Sequence, residues 1–493
     1  MLPHCDARLE ARLTSEAVRR AGGRRQGWAP QSPDEALISD IEAFAQRALI
    51  ESYADASEVD AYLCEGSAAF HAENYPGALR IYHALLPPLA NADFHVDQEE
   101  MVDEMLGVDL ESCVLQYLIS LYMTTPVAER ATVILEALTD VNHLAYLRTP
   151  LAGLRSAAIT ALPDFEAFLS EWRALLQARS MAQTDQWYRS EDNWLHEAVA
   201  AQEGIEGLGV LARTSGKRGD FEAWIARLEE HEQWSEMLLA SDEAAGAMDD
   251  PHHRSHFLDQ AALAAQELGH DELFDRLHAA WSASPTLERL RRWMYCASAS
   301  GRSEEALRCA IRECPGQAER QRALLYVLNN DLSAAAPLLA EAAPLGWSAA
   351  EHPGHLLFPL FAQWFGCANA TAGELMTKLK HHCHELDDYA DPGEAQLRSA
   401  AVEELVYARA STDIDPSDRQ RVVSAMRKAA ERRCRAVTAN QRRRSYGHAA
   451  ALVTACAEVD GEDGQRWAAA IRALYRRYPA FRRELDERLG KIG

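Results

Sequence analysis

The chain has 493 residues, 48% of them hydrophobic, and carries 75 acidic against 50 basic residues for a net charge of −25. That apolar content supplies a continuous core and excludes a disordered chain, while the charge disfavours nucleic acid as a partner for the molecule as a whole. Ala, Leu, Glu and Arg dominate, Gly and Pro fall below ordinary usage, and few stretches alternate with period two, so the expected fold class is all-α. Ten cysteines without a C-x-x-C pair read as reduced thiols on helical faces. Neither end has an apolar signal segment, and the longest apolar run, Leu356 to Cys367, is too short for a bilayer; a cytoplasmic location is expected.

In chain order, residues 1–30 form a basic arm with Arg8, Arg12, Arg19, Arg20, Arg24 and Arg25, and a helical block follows over 31–200. Within that block Tyr62-x3-Gly66-x8-Tyr75-x2-Ala78-x3-Tyr82 resembles the tetratricopeptide (TPR) pattern, with Ala69 where a Tyr is usual. Gly66 and Ala78 are expected to leave room where two antiparallel helices cross, and Tyr75 and Tyr82 to fill the groove towards the next hairpin. Eight acidic residues between Asp93 and Glu111 lack the order of a calcium loop and read as a solvated helix face, followed by an apolar helix from Cys113 to Met123.

Residues 201–336 are quasi-periodic, with breaks near Gln233, Gly269, Gly301 and Asn330. Intervals of about 30 to 36 residues are the size of one helical hairpin per repeat. Gly or Asn is expected to end one helix in the left-handed region, and Asp271, Ser303 and Asp331 to cap the next. Such hairpins cannot bury their apolar faces alone and must stack into a TPR-like α-solenoid.

Residues 337–367 form a junction in which Pro344, Gly346, Pro353 and Gly354 interrupt any single helix. Two restarts are expected, one at the capping-box spacing Ser348-x-x-Glu351 and one with Pro359 in a first turn. Trp347, Phe358, Phe361, Trp364 and Phe365 either wedge two helical blocks together or line a ligand pocket. His352 and His355 flank Pro353-Gly354 and are expected to bond the free polar groups of a turn.

The last part, 368–493, turns basic: from Arg419 onward 18 Lys and Arg face 8 Asp and Glu, net +10, leaving 32 against 67, net −35, for the rest. Arg432, Arg433, Arg442, Arg443 and Arg444 are the densest cluster, suited either to an external polyanion or to contact with the acidic repeats. His381, His382, Cys383 and His384, and separately His252, His253 and His256, hold metal-competent groups, but surface or packing roles are the expectation for both. Gly209 to Arg218 lacks the glycine spacing and the Ser or Thr of a phosphate-binding loop, and neither a G-x-S-x-G elbow nor an H-E-x-x-H pair occurs. No catalytic, cofactor or metal residue is assigned.

Several further stretches carry a resemblance. Gly204 to Arg213, Ala223-Trp224-Ile225, Ala283 to Leu290, Pro344 to His355, Arg442 to Leu452 and Tyr478 to Leu485 resemble uncharacterised bacterial helical-repeat proteins, including the regions that follow SWIM-type zinc fingers. The resemblance spans roughly residues 200–493 and implies a fold, not a reaction; the C-x-C…C-x-H ligand set is missing, so zinc and DNA binding do not carry over. The resulting expectation is a non-enzymatic scaffold or adaptor that binds a basic or amphipathic segment of a protein partner, away from membranes. The alternative is a nucleic-acid-associated regulatory subunit using the basic C-terminal helices.

Overall fold

The computed structural model describes residues 31–96, 105–182, 190–346, 351–367, 371, 373–377, 397–409 and 414–490. The chain divides into two compact units, Met1–Arg227 and Leu228–Gly493. The fold is all-α; among the described residues the only extended pairing is a two-residue parallel bridge.

The first unit runs α1 (Glu35–Glu51), β1 (Tyr53–Ala54), α2 (Ala56–His71), α3 (Tyr75–Ala90), β2 (His95–Val96), α4 (Leu110–Thr124), α5 (Arg130–Ala145), α6 (Pro150–Ala157), α7 (Phe165–Ala182), α8 (Ser190–Ser215) and α9 (Arg218–Glu230). Asp34, Asp55, Asn74 and Asp109 start α1 to α4, each side-chain oxygen accepting a first-turn amide that would otherwise be orphaned. Helices pack on those one or two places along the chain: α3 on α1, α2, α4 and α5, α4 on α6, α5 on α7, and α7 on α8. This nearest-neighbour stacking is how amphipathic hairpins bury a common core. Asp109, read as part of an acidic surface, caps α4, and Met105 and Leu106 are buried; residues 97–104 lie outside the described residues.

The second unit continues with α10 (Trp234–Ala247), α11 (Pro251–Glu267), α12 (Leu273–Ala283), α13 (Leu287–Ala299), α14 (Ser303–Glu313), α15 (Glu319–Leu328) and α16 (Leu332–Glu341). Then come α17 (Gly354–Trp364), α18 (Val402–Arg409), α19 (Pro416–Ala439), α20 (Tyr446–Val459), α21 (Gly461–Leu474) and α22 (Pro479–Leu489). Gly269, Gly301 and Asn330 take positive φ at the breaks between hairpins, and Glu232 rather than Gln233 does so at the first. Asp331 caps α16 through the Ala334 amide at 3.0 Å. Asp271 and Ser303 do not cap: α12 begins only at Leu273 behind Glu272, and Ser303 already lies in the first turn of α14, with Arg302 at the cap position.

The junction departs from its expected form. Pro337 lies inside α16, and among the described residues 351–367 one helix, α17, begins at Gly354 behind Pro353. Pro359 therefore sits within α17 and not in its first turn, removing the amide that would bond the His355 carbonyl. Trp347 and Ser348 lie outside the described residues. α17 is apolar around its circumference and packs on α15, α16, α19 and α20, with Phe358 and Phe361 fully buried. No described helix is long and apolar enough to cross a membrane.

Candidate functional site

In the first unit the TPR-like residues meet as one hairpin, α2 against α3. A Cβ on Gly66 would lie 2.9 Å from the Tyr82 ring, so the absent side chain makes room for Tyr82 itself. The Tyr82 hydroxyl lies 2.5 Å from Gln116 Oε1 on α4 and 3.1 Å from Ser67 Oγ, reaching the next helix. Tyr62 stacks edge-on with Phe44 of α1, Tyr75 with Phe70, and Ala78 is fully buried. These contacts join helices to one another.

Around the junction, four long or ring side chains converge on residues 342–346. Arg432 Nη1 donates to the Ala342 carbonyl at 2.5 Å, His352 Nε2 to that of Ala343 at 2.8 Å, and His355 Nε2 to that of Gly346 at 2.6 Å. The other ring nitrogens accept: Gly354 N donates to His352 Nδ1 at 2.9 Å and Arg320 Nη2 to His355 Nδ1 at 3.2 Å. Carbonyl acceptors on one side and N–H donors on the other fix both imidazoles as neutral rings protonated at Nε2. Burial pushes the His352 pKa below its ordinary value, against the bond to Ala343. Phe358 is sealed inside α17, Trp364 is half-buried, and Arg433 is buried with a guanidinium nitrogen 3.1 Å from where a Cβ on Gly346 would stand. Burial, and then the charge of Arg442, lower the Arg433 pKa.

The expected five-arginine patch is thus divided. Arg432 and Arg433 face the junction, while Arg442, Arg443 and Arg444 are exposed at the turn after α19. Elsewhere in the basic segment Arg427, Arg466 and Arg472 pair with Asp460, Asp463 and Asp486 of that same segment. These pairs neutralise part of its charge at home, and Arg488 pairs with Glu374 outside the segment.

The densest buried polar chemistry, and the part that sequence reasoning missed, lies on α13. Arg289, Arg291 and Arg292 are 6, 4 and 2% exposed. Arg289 forks onto Asp259 of α11, Nε and Nη2 both reaching Oδ2, at 2.8 and 2.7 Å, and Arg292 lies 3.7 Å from Oδ1 and pairs with Glu288. A buried guanidinium is tolerable only when so matched. Trp281 Nε1 donates to Gln321 Oε1 at 2.9 Å, and His278 stacks on Trp293 at 4.3 Å, fastening α12, α13 and α15.

Arg291 instead reaches a distant part of the chain: its Nε donates to the Ala400 carbonyl at 2.8 Å. Residues 397–409 lie across the hairpins out of sequence order. The Arg398 amide donates to Gln266 Oε1 of α11 at 2.9 Å, and Arg409 pairs with Glu304 of α14 at 2.5 Å. α18 packs on α13 and α15. It buries Val402, Glu403, Leu405 and Val406 on one face and exposes Glu404 and Tyr407 on the other. Its Leu405 and Ala408, with Met294, Ser298, Leu307 and Leu328 of the hairpins, line a mainly apolar cavity of ≈ 20 Å³. The period of V-E-E-L-V-Y is helical, but nothing local in it signals a dock more than a hundred residues upstream.

Other chemistry-bearing groups are structural in placement. In the first unit, Asp220 stands between His196 Nε2 and Ser215 Oγ, 2.5 Å from each, so the carboxylate separates hydroxyl from imidazole, unlike the order of a Ser-His-Asp triad. Glu197 accepts the Leu151 and Ala152 amides at the start of α6, and burial, outweighing those bonds, pushes its pKa up to about 7. Burial raises the Cys64 and Cys314 thiols to about 11 and Cys434 to about 12, leaving them protonated at neutral pH. Among the described residues no group of three His, Cys, Asp or Glu is placed to hold a metal; His381, His382, Cys383 and His384 lie outside them. His252 and His253 sit in the first turn of α11, where Asp250 accepts both their amides.

No family model matches the chain, and no curated protein matches it. One similar solved structure is a circular tandem repeat protein with novel repeat topology and enhanced subunit contact surfaces. It is 15% identical, with 99% of this chain and 95% of that chain covered, at a TM-score of 0.16. Superposition that poor carries no argument, and the helical-repeat description rests on the elements themselves.

Proposed function

We propose that this chain is a non-enzymatic helical-repeat scaffold or adaptor, working in a bacterial cytoplasm, whose second unit captures an amphipathic segment of a protein partner. The observation that carries the reading is a segment gripped by side chains far from it in sequence, residues 397–409. Arg291, Gln266 and Glu304 grip its backbone and its end, while α13 and α15 accept an apolar helix face. This is helix-in-groove recognition, in which spaced apolar anchors give affinity and flanking polar bonds give register. Reduced thiols at all the described cysteines support a reducing compartment.

The test places a photo-crosslinking residue at Tyr295 or at Tyr407, both exposed, one on α13 and one on α18. After irradiation in host extract, a crosslinked chain is identified, purified and mixed with the native protein. Saturable rebinding at a fixed stoichiometry supports a scaffold. Absence of any protein adduct at either position overturns the reading for this surface.

A further inference from the structure

Six arginines are buried among the described residues, and five of them have an acceptor. Arg130 lies against Asp164 and two carbonyls, Arg289 against Asp259, Arg292 against Glu288 and Asp259, Arg291 against the Ala400 carbonyl, and Arg320 against His355. Arg433 is the exception. It is 8% exposed, it makes no hydrogen bond or ion pair among the described residues, and its Nε is sealed from solvent without a partner. A guanidinium brings five donors and cannot shed its proton, so one held away from water without an acceptor is an uncompensated charge. We propose that Arg433 and Arg442 form a binding site for a phosphate dianion, free or carried as a monoester, at the C-terminal part of α19.

The surroundings of Arg433 fit an anion and no internal partner. Arg432 beside it donates to the Ala342 carbonyl, and His355 to that of Gly346, so neighbouring side chains already take the acceptors of the junction. Burial and the like charge of Arg442 lower the Arg433 pKa, and no carboxylate acts in the opposite sense. Two guanidiniums close enough to repel, with no acid between them, are the arrangement that a shared oxyanion resolves, since each can fork onto different oxygens. Gly346 makes room for the buried one: a Cβ there would stand 3.1 Å from Arg433 Nη1. Only Nε is sealed, so the Nη fork stays within reach of a ligand.

The same features choose among anions. Two positive charges without a carboxylate match a dianion better than a single carboxylate. A side chain so nearly buried admits a small group, whereas the backbone of a duplex would meet the exposed Arg443 and Arg444 instead. The net charge of −25 also repels an extended polyanion, while one phosphate is held by the local field of the pair.

The experiment is equilibrium dialysis of the full chain against radiolabelled inorganic phosphate at constant ionic strength and pH 8. Saturable uptake of about one phosphate per chain is expected, with a dissociation constant of about 1 mM or tighter. Arg433→Met should weaken it at least about tenfold, and the unfolding midpoint of the native chain, but not of this variant, should rise when phosphate replaces chloride. Should Arg433→Met not fold, Arg442→Ala, at an exposed position, should weaken uptake about threefold. No saturable uptake by the native chain overturns the proposal, as does uptake unchanged in Arg433→Met or, failing that variant, in Arg442→Ala. Competition separates the sources: displacement by O-phosphoserine at lower concentration than by unlabelled phosphate assigns the site to monoesters, and the reverse order to the free ion. Displacement by a DNA duplex at a lower concentration of phosphate groups than by either small anion overturns the small-anion assignment.

Discussion

α17 and α18 both lie against α15, yet different forces hold them. α17 buries Leu356, Leu357, Phe358, Leu360 and Phe361 completely and touches four helices. α18 buries three large apolar side chains, Val402, Leu405 and Val406, over a cavity, and relies on Arg291, Gln266 and Glu304 for its remaining anchors. At about 1.5–3 kcal/mol per buried side chain, five against three makes the apolar anchoring of α17 nearly twice that of α18. Hydrogen bonds exchanged for water add about 1 kcal/mol each, and about 1.5–3 kcal/mol where a charged group takes part, so the polar anchors offset much of the difference. The difference teaches that α17 is held by apolar burial and α18 by apolar burial together with polar bonds to its flanks.

Breaking the apolar element should have the largest effect. Phe361→Ala is expected to cost about 3–5 kcal/mol in urea unfolding of the second unit, since neighbours on several helices cannot all collapse into the space. Next comes the buried ion pair between α11 and α13. Asp259→Asn should cost about 3 kcal/mol by leaving buried Arg289 without its carboxylate, and adding Arg289→Met should restore part of that loss.

The histidine clamp should be smaller again. His355→Phe, removing the bonds to Gly346 and Arg320, should cost about 2 kcal/mol by the same measurement. His352 adds a pH dependence with a definite sign. Its folded pKa lies below the ordinary histidine value, so beneath about pH 6.5 the unfolded chain binds more protons. The stabilisation is complete above that pH and is lost as pH falls through the lowered value. His352→Gln should flatten this acid limb when urea midpoints are compared at pH 7.5 and 5.

What was legible follows from where the physics is local. The breaks at Gly269, Gly301 and Asn330 were readable because a left-handed residue must end each helix, and Gly66 because only its missing side chain admits a close ring. His352 and His355 stand beside a Pro-Gly turn whose polar groups need partners, and their bonds go to the carbonyls of residues 343 and 346. Caps were less secure: a short polar residue one position inside a helix, as Ser303 is, or one before its cap, as Asp271 is, reads the same as one at the boundary. The arginines of α13 were invisible as core residues, since a guanidinium is buried only by virtue of partners such as Asp259, thirty residues away, and the Ala400 carbonyl, more than a hundred residues on. The basic C-terminal cluster was counted as one patch because composition does not distinguish arginines turned to a carbonyl from those turned to solvent.

The claim that α18 is held less firmly than α17 is tested most directly by native-state hydrogen exchange of both helices in one sample. Amides of residues 402–409 should exchange through a local opening that hardly depends on added denaturant, and those of residues 357–364 only through unfolding of the whole unit, with the full denaturant dependence. Equal protection and equal denaturant dependence of the two helices would contradict the account.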